Sequence, residues 1–305
     1  MEQVQKSDLP LRCKPEGPAN LPEPEVSINL DDPVIQFENI PALIQEIRSS
    51  RKDILYVTGI NSFDFERLVA IEEQPEFPKI HFSRFFYKKR LLIITIPTPG
   101  HEALHANLWS KFVIQRAQMG LDDHWRDQAA GRFRVPHGHQ GGNGGDAGEG
   151  DSSGCPRIIP KRDWPTLVFE AGYCQSLDSL RAKMRWWFRC SNHQVKIVVL
   201  IKYNSAQSRI TLEKWQEELT LPTQQGPITR SRALAIPVPI PQRNQEILIN
   251  KNTSTSPATF DVIRAPLVLD FRQVFLRDPI AGETDFTFNE GTLQRYAEVV
   301  WDDLE

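Results

Sequence analysis

Residues 164–203 read WPTLVFEAGYCQSLDSLRAKMRWWFRCSNHQVKIVVLIKY, and the fold turns on how this stretch is divided. Residues 166–169 (TLVF) form a short apolar run opened by Pro165, the pattern of a buried strand. Glu170 follows at its carboxyl end, and Ala171-Gly172 marks the stop. Ser176 has the chemistry of an N-cap. Beyond it, Leu177, Leu180, Met184, Trp187 and Phe188 recur at helical spacing through residue 189. After Ser191-Asn192, residues 195–203 (VKIVVLIKY) are too apolar for a strand with a wet face and are expected mid-sheet. Strand, helix and strand predict a parallel βαβ unit with a right-handed crossover. Its ligand edge is the carboxyl end of the first strand, where Glu170 stands.

Working outward from that unit, residues 41–50 and 62–70 carry helical patterns, residues 54–58 (ILYVT) a strand, and residues 80–87 and 91–96 a hairpin around Lys88-Lys89-Arg90. Residues 101–119 predict a helix closed by Gly120. Residues 136–154 (PHGHQGGNGGDAGEGDSSG) read as a mobile Gly-rich loop. Residues 209–215 alternate like a strand. Residues 221–266 form a Pro-rich irregular segment whose one strand-like piece is 233–240. A strand at 267–271 and a helix at 290–302 close the chain, whereas residues 1–30, rich in proline and charge, read as a disordered tail. The remainder, 31–305, is expected to be one α/β domain.

The 305 residues carry a net charge of −3, which argues against a general electrostatic grip on nucleic acid or anionic lipid. The longest apolar run, 195–201, is broken by Lys196 and falls short of the roughly 20 residues a membrane span needs. No secretory signal opens the chain, and its four cysteines lack metal-ligand or disulfide-framework spacing. An intracellular protein of cytoplasm or nucleus, without a membrane partner, is the expectation.

Three constellations carry possible chemistry. His101-Glu102-Ala103-Leu104-His105 matches HExxH, which would place two zinc ligands and a general base on one helix. Its helix starts at about His101, so that ring is expected to be exposed. Leu108 and Lys111 occupy the extended motif's positions, and His124 or Asp123 are the available third ligands. The match is therefore read as coincidence, with joint zinc binding by His101 and His105 not expected. Glu102, Asp151 and Glu170 form a set of carboxylates able to supply oxygen ligands to Mg²⁺ or Mn²⁺. Beside this stands the plainer reading of Glu170 as a strand-end acid paired with Arg181 or Arg185, and of Asp151 as a solvated loop residue. Finally, the helix 176–189 interleaves Arg181, Lys183, Arg185 and Arg189 with aromatic residues, a pattern that suits a phosphate backbone. The same aromatics suit a core, with Lys183 the one cation placed to reach Glu170.

Residues 165–172 (PTLVFEAG), 176–177 (SL), 180–181 (LR), 186–188 (WWF) and 195–198 (VKIV) together resemble a large family of uncharacterised fungal proteins. Residues 92–97 (LIITIP), 101–102 (HE), 119–121 (MGL), 148–151 (GEGD), 214–215 (KW) and 276–279 (LRDP) stand in the same order as in that family. The family resembles the PD-(D/E)XK, restriction-endonuclease-like superfamily. The resemblance implies an αβββαβ core with a mixed sheet and extra N-terminal and C-terminal elements. It implies a nuclease acting on nucleic acid with Mg²⁺ or Mn²⁺ held by Asp151 and Glu170, and Glu102 as the first-helix acid. The motif lysine belongs two residues after Glu170, where Gly172 stands, so Lys183 would have to replace it, at a position where the fungal pattern carries an acid. Three functions remain open: a metal-dependent nuclease or its degenerate descendant, a non-catalytic binding module, and a zinc hydrolase at 101–105. Glu170 is expected to be partly desolvated, with Arg181 and Lys183 as its available cations.

Overall fold

A computed structural model describes residues 28, 32–129, 131–136, 145–160, 163–220 and 237–304. The chain begins with β1 (Val34–Gln36), α1 (Ile40–Ser49), β2 (Ile54–Thr58), α2 (Ser62–Ile71) and the hairpin β3 (His81–Phe86) with β4 (Leu91–Thr95). Next come α3 (Pro99–Gln118), β5 (Trp125–Asp127), β6 (Arg132–Arg134), β7 (Ala147–Glu149), β8 (Ser152–Pro156), β9 (Leu167–Gly172), α4 (Leu177–Cys190) and β10 (Ile197–Asn204). The last third holds β11 (Arg209–Thr220), β12 (Val238–Asn252), β13 (Thr259–Ile263), β14 (Leu267–Leu269), α5 (Phe271–Phe275), β15 (Phe286–Phe288) and α6 (Glu290–Leu304).

The βαβ unit forms as its sequence requires. β9 pairs with β10 in parallel, Leu167 opposite Ile197 and Glu170 opposite Leu200. Ser176 caps α4, its hydroxyl accepting from the Ser179 amide. Both strands lie inside a seven-stranded mixed sheet of order β13-β12-β11-β10-β9-β8-β5. Taken in chain order, α3, β5, β8, β9, α4 and β10 give the αβββαβ core with a mixed sheet. The second sheet, of order β1-β2-β4-β3-β7-β6, comes largely from the N-terminal part of the chain.

Strand alternation divides the core. Leu167, Phe169 and Ala171 face α3 and α6 in one cluster, whereas Val168 joins Met184, Trp186, Trp187 and Phe188 of α4 in another. Ile54, Tyr56, Leu91 and Ile93 of the second sheet complete that latter cluster, so α4 is packed between the two sheets. The far face of the second sheet is covered by α1 and α2 through Leu43, Ile47, Phe65 and Leu68. Among the described residues, no helix is long and apolar enough to cross a membrane.

The strand expected at 267–271 stops at Leu269, with Phe271 opening α5, and two longer segments differ more from the sequence expectation. In the Gly-rich stretch, residues 137–144 lie outside the described set, but 145–154 are not loop: they contain β7 and the start of β8, and 146–154 are buried. The glycines serve close approach. A Cβ at Gly148 would meet Arg84 Nη1 at 2.5 Å, and one at Gly150 would meet Val168 at 3.0 Å. Of the segment 221–266, residues 221–236 lie outside the described set together with most of the expected N-terminal tail, while residues 238–252 are a 15-residue strand. Pro239 and Pro241 are accommodated because β13 pairs only with Leu248–Asn252 of β12. The other flank of the proline stretch has no strand partner among the described residues, so the missing N–H groups break no ladder there.

Gly154 offers a direct check on this packing, since a Cβ there would sit 2.6 Å from Cζ2 and Nε1 of the buried Trp125. Gly154→Ala is expected to lower the unfolding free energy by about 1–3 kcal/mol, read by urea denaturation. An unchanged midpoint would show that the indole yields at no cost.

Candidate functional site

Glu170 leaves β9 on the α4 face, the same face as Val168, and is fully buried at 0% exposure. A lone buried carboxylate is costly, so its partners decide its role. Arg84 Nη2 on β3 donates to Oε1 at 2.9 Å, Trp187 Nε1 to the same oxygen at 2.5 Å, and Lys183 Nζ to Oε2 at 3.3 Å. Lys183 thus reaches Glu170 as expected, and both are buried. The paired cation was expected in Arg181 or Arg185. Instead, Arg181 turns to Glu213 and Asp178, Arg185 is exposed, and the second sheet delivers Arg84.

Arg84 is itself fully buried. Its guanidinium stacks over the rings of Trp186 and Trp187 at 4.2 and 4.8 Å and donates to the carbonyls of Ser83 and Glu149. Burial pushes the Arg84 pKa down, opposed by the Glu170 charge and its hydrogen bond. In sequence, the only sign of this residue is a cation in the otherwise buried run HFSRFF. Trp187, read from sequence as a core aromatic, is also a donor to the carboxylate.

Asp151 follows β7 in the turn that leads to β8. It is not a solvated loop residue, since its side chain is 2% exposed and its Oδ2 accepts from the Ala171 amide at 2.6 Å, one residue beyond Glu170. The same oxygen lies 3.5 Å from His101 Nε2. Burial would raise the Asp151 pKa, but the His101 and Lys183 charges hold it well below the carboxylate range. Burial likewise opposes the charge of His101, yet Asp151 and Glu102 raise its pKa to about 10. The ring of His101 is therefore not the exposed first-turn group expected. The helix does start at Pro99, with Thr98 as N-cap, but His101 is 1% exposed. Tyr173 and Leu304 pack against Gly100 and cover that turn.

Glu102, at 44% side-chain exposure, places Oε1 3.3 Å from His101 Nδ1 and 3.4 Å from His105 Nε2. The neighbouring imidazoles of His101 and His105 lower its pKa. Two linked groups result. One is Arg84–Glu170–Lys183–Trp187 between the sheets. The other is Glu102, His101, His105 and Asp151 at the start of α3, joined to the first where Asp151 holds the amide next to Glu170. His124 and Asp123, the third zinc ligands weighed from sequence, lie in a turn beyond the far end of α3.

The implied Mg²⁺ or Mn²⁺ would need carboxylate oxygens with lone pairs to spare. Glu170 has a buried cation on each oxygen, and Asp151 Oδ2 is occupied by an amide and faces His101. These residues do not fit that ion as it would bridge Asp151 and Glu170.

No family model matches the chain, and no curated protein matches it. Among solved structures, the chain is similar to a protein of Anabaena variabilis ATCC 29413 described as a candidate nuclease belonging to DUF820. Identity is 14%, coverage is 58% of this chain and 93% of the other, and the TM-score is 0.34, too low for the likeness to bear on function.

Two outcomes are expected from this geometry. Arg84→Met removes one partner of a buried pair and should cost about 3–5 kcal/mol in urea unfolding, whereas a loss under about 1 kcal/mol would show that Lys183 and Trp187 satisfy Glu170 alone. The second concerns pH in protein freed of metal. His101 has a folded pKa raised from 6.5 to about 10, so its contribution is full below 6.5 and is lost as pH climbs toward 10. The depressed Asp151 pKa keeps the partner charged across that window. Wild-type stability should therefore decline over this range, and Asp151→Asn should flatten the decline; an equal slope in the variant would refute the pairing.

Proposed function

We propose that this chain is a degenerate member of the nuclease-like α/β fold. In this reading Asp151, Glu170 and Lys183 are kept as a structural network and do not cleave phosphodiesters with Mg²⁺ or Mn²⁺. One observation carries the reading: Glu170 is fully buried and its carboxylate is already neutralised by Arg84 and Lys183. A scissile phosphate has no route to a carboxylate at 0% exposure, and a hard divalent ion would have to displace two ion pairs to bind it. Gly172 at the motif lysine position agrees with this. A Cβ there would meet Leu180 Cδ1 at 2.9 Å, so any side chain at that position would require Leu180 to shift.

The role left to the fold is binding, and nucleic acid is the partner class that the resemblance implies. Glu102, assigned by resemblance as the first-helix acid, is the most accessible member of the constellation but faces the two histidines of its own helix. The contacts of Lys183 support an internal counter-ion rather than a group presented to substrate.

The test is a cleavage assay of purified protein on single- and double-stranded DNA and on RNA, with Mg²⁺ and with Mn²⁺. No cleavage above the no-enzyme control is expected, and Asp151→Asn is expected to leave that result unchanged. Metal-dependent cleavage by wild type, lost in Asp151→Asn with the fold intact, would establish the active nuclease instead.

A further inference from the structure

The two histidines of α3 have an arrangement that the Glu170 network does not explain. His105 is 6% exposed and its Nε2 has no hydrogen-bond partner, although it sits beside the half-exposed Glu102 carboxylate. An unsatisfied buried ring nitrogen is uncommon and calls for an occupant. Ligand atoms of His101, Glu102 and His105 all lie within 4.8 Å of one another. Along two of the three edges, Glu102 Oε1 lies 3.3 Å from His101 Nδ1 and 3.4 Å from His105 Nε2. Tetrahedral zinc, with ligand bonds near 2.0–2.1 Å, separates its ligands by about 3.3–3.4 Å.

We infer that His101 Nδ1, Glu102 Oε1 and His105 Nε2 form a binding site for one divalent transition ion of the zinc class. The other nitrogen of His105 has a hydrogen-bond partner, as in metal-ligating histidines, whereas that of His101 has only the Asp151 carboxylate nearby. His105 Nδ1 is 2.9 Å from Ser152 Oγ, and His101 Nε2 is directed to Asp151 Oδ2 at 3.5 Å. The Ser152 contact fixes the His105 ring with Nε2 toward Glu102. Two imidazoles and one carboxylate suit zinc, and the set is too rich in nitrogen for Mg²⁺ or Ca²⁺. The amino end of α3 repels a cation, but the charges of Glu102 and Asp151 offset that field. Three protein donors leave a fourth position for water or another ligand. Unlike an HExxH zinc site, Glu102 is here a ligand rather than a base, and Asp151 takes the outer position.

The plainer alternative is a hydrogen-bonded cluster that locks α3 to β8, with an imidazolium of His101 between two carboxylates. That alternative leaves both Nε2 atoms without a hydrogen bond, His101 Nε2 at 3.5 Å from Asp151 and His105 Nε2 at 3.4 Å from Glu102. The site shares Asp151 with the buried Glu170 network but takes no ligand from it, so zinc content is read separately from any cleavage activity.

The test is equilibrium dialysis of the purified full chain against zinc alone, followed by elemental analysis, with circular dichroism to verify folding. Wild type is expected to retain about one zinc per chain and to show a higher melting temperature with zinc than with chelator. His105→Asn, whose amide overlies Nδ1 and can still bond Ser152, and Glu102→Gln, a change at a half-exposed position, should each lose at least nine-tenths of the bound zinc while folded. If His105→Asn fails to fold, Glu102→Gln decides. Folded wild type that retains no zinc, or either folded variant retaining it at the wild-type level, would overturn the inference.

Discussion

The structure depends on how one buried carboxylate is neutralised. Glu170 sits on a strand whose neighbours are apolar on both faces, and it points into the layer between two sheets. Water cannot serve it there, and a charge left alone in that layer would be prohibitive. The chain supplies cations from two directions: Lys183 from the helix that follows the strand, and Arg84 from the opposite sheet. Arg84 is as buried as its partner and has two tryptophan faces for its guanidinium. Arg84 and Glu170 therefore depend on each other, and their bond fixes the two sheets in register across α4. The identity of neighbouring residues follows from this. Gly148 leaves room for the guanidinium, and Trp187 turns its indole N–H toward the carboxylate.

The same constraint closes the edge at which an open α/β sheet would take a ligand. Asp53, at the start of β2, accepts from the amides of Tyr173 and Cys174 just beyond β9. The hydroxyl of Tyr56 meets Ser179 at 3.0 Å, and Lys202 donates to the Tyr173 carbonyl. The N-terminal sheet is thus bonded over the carboxyl end of the central strand, and polar groups that would meet a substrate meet protein instead. At the start of α3 the Glu102 carboxylate is half-exposed beside the two buried histidines.

Much of this architecture was legible in the sequence where local pattern and tertiary role agree. The unbroken apolar runs of β9 and β10 and the amphipathic helix between them demand a parallel βαβ unit, and Lys183 is the one α4 cation that falls on its inward side. Arg84 was not legible. A cation inside an apolar hairpin reads as an exposed interruption, and its partner is 86 residues away in sequence. Residues 145–154 misled for a different reason, since glycine signals either freedom or close approach, and only the Arg84, Val168 and Trp125 side chains decide which. His101 was taken for an exposed first-turn residue because the Asp151 it meets, and the Tyr173 and Leu304 side chains over the adjacent Gly100, come from remote parts of the chain. The strand-like piece read at 233–240, prolines included, covers only the first three residues of β12, because the polar run from Gln242 to Glu246 has no strand pattern of its own.

The central claim, that Glu170 is held by Arg84 as a structural pair and is not free to take a metal ion, is tested most directly by a double-mutant cycle. Urea unfolding of wild type, Arg84→Met, Glu170→Gln and the double variant gives the coupling between the two side chains without reference to any activity. A favourable coupling of about 1–3 kcal/mol is the predicted result, with the double variant less damaged than the two single losses together imply. Losses that add to within about 0.5 kcal/mol would contradict the account and return Glu170 to the set of available ligands.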